Sequence, residues 1–206
     1  MLVIQVINKI ATLGMNLFSS FRKSESGIVS VEAAGYFIVF FMLCAFLSDW
    51  SVVFLDKSRV ERVNNSISTV LRERNVLYSG QEEISDDNAG ELFNLAGKLM
   101  ENSRVAGRDY AVTIDAVYFS DNNKVLQVAK TDTFSKSRGG CQVNRPAVGN
   151  IVQLSAWSAD EGRWLPVYQV TLCVKGKSSL FMQLGNLIGF TVGDLSVSNV
   201  VVPRVS

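Results

Sequence analysis

The sequence predicts an α+β protein, in which a long N-terminal transmembrane and amphipathic helix leads into a small domain of antiparallel sheet with one or two further helices. Two observations predict this class. An unbroken apolar run early in the chain is followed by apolar residues at helical spacing, and much of the second half alternates between apolar and polar residues as strands do. The 206 residues suffice for one modest domain plus an anchoring segment.

The apolar run covers residues 28–47, and Glu32 is its one charged residue. A helix of this length, rising about 1.5 Å per residue, spans a hydrocarbon core about 30 Å thick. We therefore expect a transmembrane helix over residues 28–50. Three basic residues precede it, Lys9, Arg22 and Lys23, with Glu25 as the one acidic residue before it. The positive-inside rule then places residues 1–27 in the cytoplasm and the rest of the chain outside the inner membrane, in the periplasm.

The helix is expected to continue beyond the membrane as an amphipathic segment. Apolar residues recur there at spacings of 3, 4 and 3, at Val60, Val63, Ile67 and Val70. Such a stripe is typical of a helix that packs on one side. Since Gly80 is the next stop signal, we expect one helix over about residues 28–77, with residues 51–80 as the exported extension and the stripe in the domain core.

Residues 81–206 form the predicted exported head domain. A second helix should begin after the capping run "SDDN" (residues 85–88) and should carry an apolar face of Leu92, Ala96 and Leu99. The same acidic stretch could instead hold calcium, but it lacks the glycine and terminal glutamate of an EF-hand loop. Helix capping is the favoured interpretation.

Strand patterns dominate the remainder of the head. Two strands should flank a turn at residues 121–123, and further strands should cover residues 165–176 and 194–203. "GGCQVNRPAVG" is typical of a loop, and "SSLFMQLGNLIG" predicts a short helix. We expect Trp157 and Trp164 in the domain core, with exposed contacts to partner subunits as the alternative.

Composition excludes several function classes. Lys and Arg number 20 and Asp and Glu 19, so the strongly basic face of a nucleic-acid binder is not expected. The chain has no histidine, which removes Ser-His and Cys-His nucleophile pairs and His-containing zinc sites. A carboxylate-based envelope hydrolase would need two facing acids, with Asp115 or Asp160 as candidates, but nothing pairs them. We expect no enzyme activity, no cofactor and no metal.

The three cysteines divide by location. Cys44 lies in the apolar run and is expected to be a small packing residue. Cys141 and Cys173 lie in the polar part, where a disulfide between them is expected if that part is exported. Closing a loop of about 33 residues would stabilise the fold by roughly 3–4 kcal/mol on the chain-entropy model.

The order of residues around Gly27 differs from that of an ordinary secretory signal. A glycine precedes the apolar core, so cleavage after Gly27 would leave the whole core on the mature chain, with Ile28 as its first residue. Glu32 would then be the fifth residue of an otherwise apolar segment. A charge at the bilayer centre costs about 2.5–3.5 kcal/mol, and the new α-amino group of Ile28 would be a suitable cationic partner for the carboxylate.

The stretch "KSESGIVSVE" resembles the prepilin signature, in which a basic leader, a glycine, four residues and a glutamate precede a hydrophobic helix. The stretches "RWLPVYQVTLCVKG", "LFMQLGNLIGF" and "SVSNVVVPR" resemble TadF-type pseudopilins of the tight-adherence (Tad/Flp) pilus system, within the wider TadE/TadG-like group. The resemblance implies a minor pseudopilin with a role in pilus assembly, adherence, surface colonisation and biofilm formation. Its implied partners are a prepilin peptidase, a TadE-like pseudopilin, the major Flp pilin and the inner-membrane platform.

Two alternatives stay open at this point. Without cleavage, the chain would be a signal-anchored periplasmic module that binds a ligand or scaffolds an envelope complex. Translation could also begin at Met15 rather than Met1, which would shorten the leader to "MNLFSSFRKSESG".

Overall fold

The computed structural model describes residues 28–73, 82–120, 125–177 and 193–204, with the backbone alone for residues 28–31. The chain divides into two units, Met1–Ser51 and Val52–Ser206. In the first unit the described residues are helical throughout, and the described residues of the second form two helices beside an antiparallel sheet. The predicted α+β class is confirmed. The predicted leader, the short helix in "SSLFMQLGNLIG" and the turn at residues 121–123 lie outside the described residues.

The first helix, α1, covers Ile28–Arg72, 45 residues without a proline. The predicted stripe packs into the core of the second unit, where Val60, Val63 and Ile67 are buried and Val70 packs partly against them. The continuous helix and its stripe are therefore confirmed. The expected end near residue 77 falls in the segment 74–81, which is outside the described residues.

The second helix, α2, covers Asp86–Met100 and begins with a capping box. Asn88 N–H donates to Ser85 Oγ at 3.2 Å, and Ser85 N–H donates to the Asn88 side-chain oxygen at 3.1 Å. Each contact satisfies a backbone donor that the first helical turn leaves unpaired. The capping interpretation of "SDDN" is confirmed. The buried face consists of Ala89, Leu92, Ala96 and Met100, whereas the predicted Leu99 is only partly buried.

The described residues after α2 contain six strands, in chain order β1 (Tyr110–Phe119), β2 (Val128–Arg138), β3 (Trp157–Ser158), β4 (Arg163–Trp164), β5 (Val167–Val174) and β6 (Leu195–Val201). Four of them form one antiparallel sheet in the order β2-β1-β5-β6. The predicted strands around residues 121–123, within 165–176 and within 194–203 are confirmed. All eight residues of β5 are buried, because this strand has neighbours on both sides and both of its faces are covered.

One face of the sheet packs against the helices. Alternate residues of β1 and β5 point to this face and join α1 and α2 in one core. At its margin the rings of Phe93 and Tyr110 stack with their centroids 4.5 Å apart. Gly97 of α2 leaves room for the Tyr110 ring, because a Cβ atom at position 97 would lie 2.5 Å from the hydroxyl oxygen of Tyr110.

The segment of residues 139–155 covers the opposite face of the sheet. It is irregular apart from two short 3-10 turns, Val148–Asn150 and Val152–Leu154, and so confirms the predicted loop. It begins at Gly139, whose φ of +79° favours glycine and where a Cβ atom would collide with the Asp109 carboxylate. Ile151 then forms a small apolar cluster with Val117 and Val167.

The two tryptophans lie on their own two-stranded ribbon, in which β3 pairs with β4. The Trp157 and Trp164 rings meet edge to face with centroids 5.5 Å apart, and both residues are only half-buried. The expectation that both belong to the domain core is wrong, because each ring packs on the other rather than on the two buried clusters. Arg163 of the ribbon pairs with Glu82 and with Glu161.

Candidate functional site

The N-terminal half of α1 exposes large apolar side chains on successive turns. They are Tyr36, Phe37, Ile38, Val39, Phe40, Phe41, Met42, Leu43, Phe46, Leu47, Trp50, Phe54 and Leu55. A monomer rarely leaves so large an apolar surface in water. The helix is long and apolar enough to cross a membrane, and its full length of about 68 Å is more than twice a hydrocarbon core. This surface is consistent with a single-pass membrane anchor.

Two residues of the predicted signal, Ile28 and Glu32, lie in the described part of α1. The described part of α1 begins at Ile28, and Glu32 lies one turn later with its side chain exposed. Because residues four apart share one helix face, Glu32 lies on the same face of α1 as Ile28. Gly27 lies outside the described residues.

Small residues follow Glu32 directly. Ala33, Ala34 and Gly35 are exposed, and a Cβ atom added at Gly35 would meet nothing within 4 Å. Small side chains let two membrane helices approach closely. The surface that begins at Glu32 can therefore accept a neighbouring helix near the carboxylate, whereas the next turn carries the bulky Tyr36 and Phe37.

In the head, a disulfide joins Cys141 to Cys173, with their Cα atoms 6.1 Å apart. The bond ties the 139–155 segment to β5, an interior strand whose residues are all buried. Asp194 lies beside the two sulfur atoms, but sulfurs bonded to each other are not thiolates and do not bind a metal as thiolates do. The Asp194 carboxylate instead accepts hydrogen bonds from Gln142 N–H at 2.8 Å and Gly176 N–H at 3.3 Å. Cys44 is free and exposed on α1.

Asp115 is fully buried beneath the 139–155 segment. Its carboxylate accepts hydrogen bonds from Thr133 Oγ1 at 2.6 Å and Gln169 Nε2 at 3.3 Å, and it pairs with Arg145. These partners carry no second carboxylate. Asp160 lies exposed in the turn between β3 and β4. The acid pair that a carboxylate hydrolase requires is therefore not formed by these two residues.

Arg145 was not anticipated from the sequence as a structural residue. A buried carboxylate without a cation would be strongly unfavourable, so Arg145 stabilises Asp115 and holds the covering segment on the sheet. No local pattern marks this arginine, because its partner lies 30 residues away in another element. Asp115 could have been noticed in the sequence, because it is a carboxylate inside the otherwise mostly apolar strand "YAVTIDAVYF" and would need a partner if buried.

Three further buried polar residues lie on the described part of α1, namely Asp56, Asn64 and Ser68. Asp56 pairs with Arg108 at 2.6 Å, and both side chains are largely buried. Asn64 Nδ2 donates to the backbone oxygens of Val170 at 3.3 Å and Val197 at 3.2 Å. The burial of Asp56 could have been predicted from its position in the sequence. It lies four residues before Val60, on the same helix face as the apolar stripe.

Replacing Arg145 tests the role of its ion pair. Arg145→Ala should lower the free energy of unfolding by about 2–3 kcal/mol, since it leaves the Asp115 carboxylate buried without its cation while one third of Arg145 itself is already exposed. Lys175→Ala is the matched control, because the exposed Lys175–Asp109 pair at 3.5 Å should contribute about 0–1 kcal/mol. Urea unfolding of the full chain in detergent measures both. Equal losses of unfolding free energy in the two variants would contradict the stabilising role of the Arg145–Asp115 ion pair.

The disulfide is tested by thiol chemistry. In the native oxidised protein, Cys44 should react with a maleimide after unfolding, whereas Cys141 and Cys173 should react only after reduction. Peptide mapping by mass spectrometry locates the label. Labelling of both Cys141 and Cys173 without reductant would show that the bond is not present in the cell-derived protein.

The chain was compared with known proteins. It matches the family model TadF, described as "Putative tight adherence pilin protein F", over residues 20–204. The match includes α1, α2 and all six strands. No curated protein and no solved structure matches the chain. Because the match covers most of the sequence and agrees with the apolar helix and its head domain, the chain belongs to the TadF family of tight-adherence pilin proteins.

Proposed function

We propose that the chain is a minor pseudopilin that takes part in assembly of the Tad/Flp pilus, and thereby in adherence, surface colonisation and biofilm formation. The observation that carries the proposal is the family match over residues 20–204, which includes a helix with an exposed apolar surface and a carboxylate one turn from its start. The action is mechanical: the helix enters an assembly of helices while the head presents contacts to other subunits.

Processing creates the assembly-competent form in this proposal. A prepilin peptidase cuts after Gly27 and leaves Ile28 with a free α-amino group, while residues 1–27 stay on the cytoplasmic side. Residues 28–50 then lie in the inner membrane, residues 51–80 extend the helix outward, and residues 81–206 form the periplasmic head. The exposure of Glu32 near the start of α1 supports this arrangement.

Glu32 acts between subunits. The helix rises about 6 Å over four residues, so Glu32 lies one turn from the α-amino group that cleavage would create. A neighbouring helix can place its Ile28 amine against Glu32, with Ala33, Ala34 and Gly35 allowing close approach. The proposed neighbours are a TadE-like pseudopilin and the major Flp pilin, assembled on the inner-membrane platform.

N-terminal sequencing and intact mass of the membrane protein test the processing step. In cells that contain the peptidase, Ile28 should be the first residue, whether translation begins at Met1 or at Met15. A peptidase-deleted strain is the control and should keep the leader. A chain that retains residues before Ile28 in the presence of the peptidase would favour the unprocessed signal-anchored alternative and overturn the proposal.

Glu32→Ala separates cleavage from assembly. The variant should still be cut after Gly27, but pilus number should fall about tenfold or more, because the α-amino group of a neighbour loses its buried anionic partner. Glu32→Asp keeps the charge and should retain most of the activity. Electron microscopy counts the pili, and immunoblotting confirms equal amounts of processed protein. Normal pilus counts in Glu32→Ala would contradict the pairing.

A further inference from the structure

The two cysteines of the head disulfide differ in accessibility. Cys173 on β5 has no exposed surface, whereas Cys141, near the start of the covering segment, is partly exposed. A disulfide is reduced when a thiolate attacks one of its two sulfur atoms. In the folded head the accessible target is therefore Cys141, and the sulfur that leaves is that of Cys173.

The reduction brings negative charge to both sulfur atoms. A thiolate RS⁻ forms a bond to Cys141 Sγ, the bond between the two cysteines breaks, and its electron pair leaves on Cys173 Sγ as a thiolate. A second thiol RSH then attacks the mixed disulfide, which frees Cys141 and gives the oxidised RSSR. The two protein thiolates take up the two protons of the reductant.

An acidic side chain lies beside this bond. One carboxylate oxygen of Asp194 and the two Sγ atoms lie within 4.8 Å of one another. Two backbone donors fix the carboxylate, Gln142 N–H at 2.8 Å and Gly176 N–H at 3.3 Å. Among the residues that the structure describes, no cation forms an ion pair with Asp194. Its negative charge therefore has no counter-ion there.

A second oxygen faces the sulfur that would leave. The backbone oxygen of Gln142 lies 3.3 Å from Cys173 Sγ. A carbonyl oxygen can accept a hydrogen bond from a thiol, but its partial negative charge repels a thiolate. Because Cys173 is also buried away from water, its surroundings disfavour the charge that the first step of reduction creates.

Pairing of the strands brings Asp194 to the disulfide. Asp194 directly precedes β6, and Cys173 of β5 pairs with Ser196 of β6. In a chain whose β6 is unpaired, this carboxylate is not held beside the two sulfur atoms. Any effect of Asp194 on the reactivity of the disulfide therefore requires the folded sheet.

From these contacts we infer that Asp194 protects the Cys141–Cys173 disulfide from thiols by charge repulsion. Its carboxylate repels the thiolate that approaches Cys141 and disfavours the thiolate that would leave at Cys173. The disulfide is thus a permanent clamp on the covering segment rather than a redox switch. The inference concerns the head alone and does not depend on cleavage after Gly27 or on a role in pilus assembly.

Rates of reduction by thiols of different charge test the inference. The full chain in a neutral detergent reacts with cysteamine, which carries a positive charge, or with mercaptoethanesulfonate, which carries a negative one, at equal thiolate concentration. Mass spectrometry of alkylated peptides follows the release of Cys141 and Cys173 and separates them from the free Cys44. The measured quantity is the charge ratio, defined as the rate with cysteamine divided by the rate with mercaptoethanesulfonate.

Asp194→Asn should lower the charge ratio about fivefold or more, because it removes the charge that attracts the cationic thiol and repels the anionic one. Asp194→Glu keeps the charge and should keep most of the ratio. Asp160→Asn is the matched control, since it makes the same change of net charge in the exposed turn between β3 and β4 and should leave the ratio unchanged. In urea, the unfolded Asp194→Asn variant and the unfolded unmodified chain should give equal ratios.

Circular dichroism reports whether each variant folds. If Asp194→Asn does not fold, the unmodified chain still tests the inference, because salt at about 1 M should lower its charge ratio about threefold or more. Four results would overturn the inference. They are an unchanged ratio in folded Asp194→Asn, which would mean that any faster reduction comes from loosened packing; an equal fall in Asp160→Asn; a ratio of the unmodified chain that salt does not alter; and a rate independent of reductant concentration, which would mean that the bond is reduced only after unfolding.

Discussion

The packing of one face of α1 on the sheet is the contact on which the rest of the described head depends. Val60, Val63 and Ile67 bury the apolar surface of the helix, and Asn64 on the same side donates to carbonyls of β5 and β6. Burial of apolar surface does not depend on direction, so it allows the helix to shift along the sheet. A hydrogen bond requires a particular distance and angle between its donor and acceptor. The stripe therefore provides most of the attraction, and Asn64 sets where along the sheet the helix rests.

One continuous helix meets two different environments. Toward Ile28 its apolar side chains are exposed on successive turns, as a lipid-facing helix requires. Beyond Leu55 the buried apolar residues of the helix form one stripe, and the buried Asp56 is paired with Arg108 within the domain. The change from an all-round apolar surface to a single stripe requires no break in the backbone.

The far face of the sheet shows how a small domain can bury strongly polar groups. Thr113 with Ser135 and Thr171 with Ser198 pair across neighbouring strands, and the Asp115–Arg145 pair lies under the covering segment. Each of these groups has a partner, so the face stays closed without a large apolar layer. A disulfide at Cys173 then holds the segment that supplies Arg145. The buried carboxylate of Asp115 thus has partners that stabilise it within the fold.

The sequence by itself determined the helix α1, its stripe, the capped start of α2 and the main strands, because periodicity and capping act over a few residues. It also singled out Glu32 and the pair Cys141 and Cys173. Only the tertiary structure decided that Arg145 reaches Asp115, that Trp157 and Trp164 pack on each other, and that Asp194 lies beside the disulfide. These features join residues far apart in the chain, and no local pattern encodes which elements become neighbours.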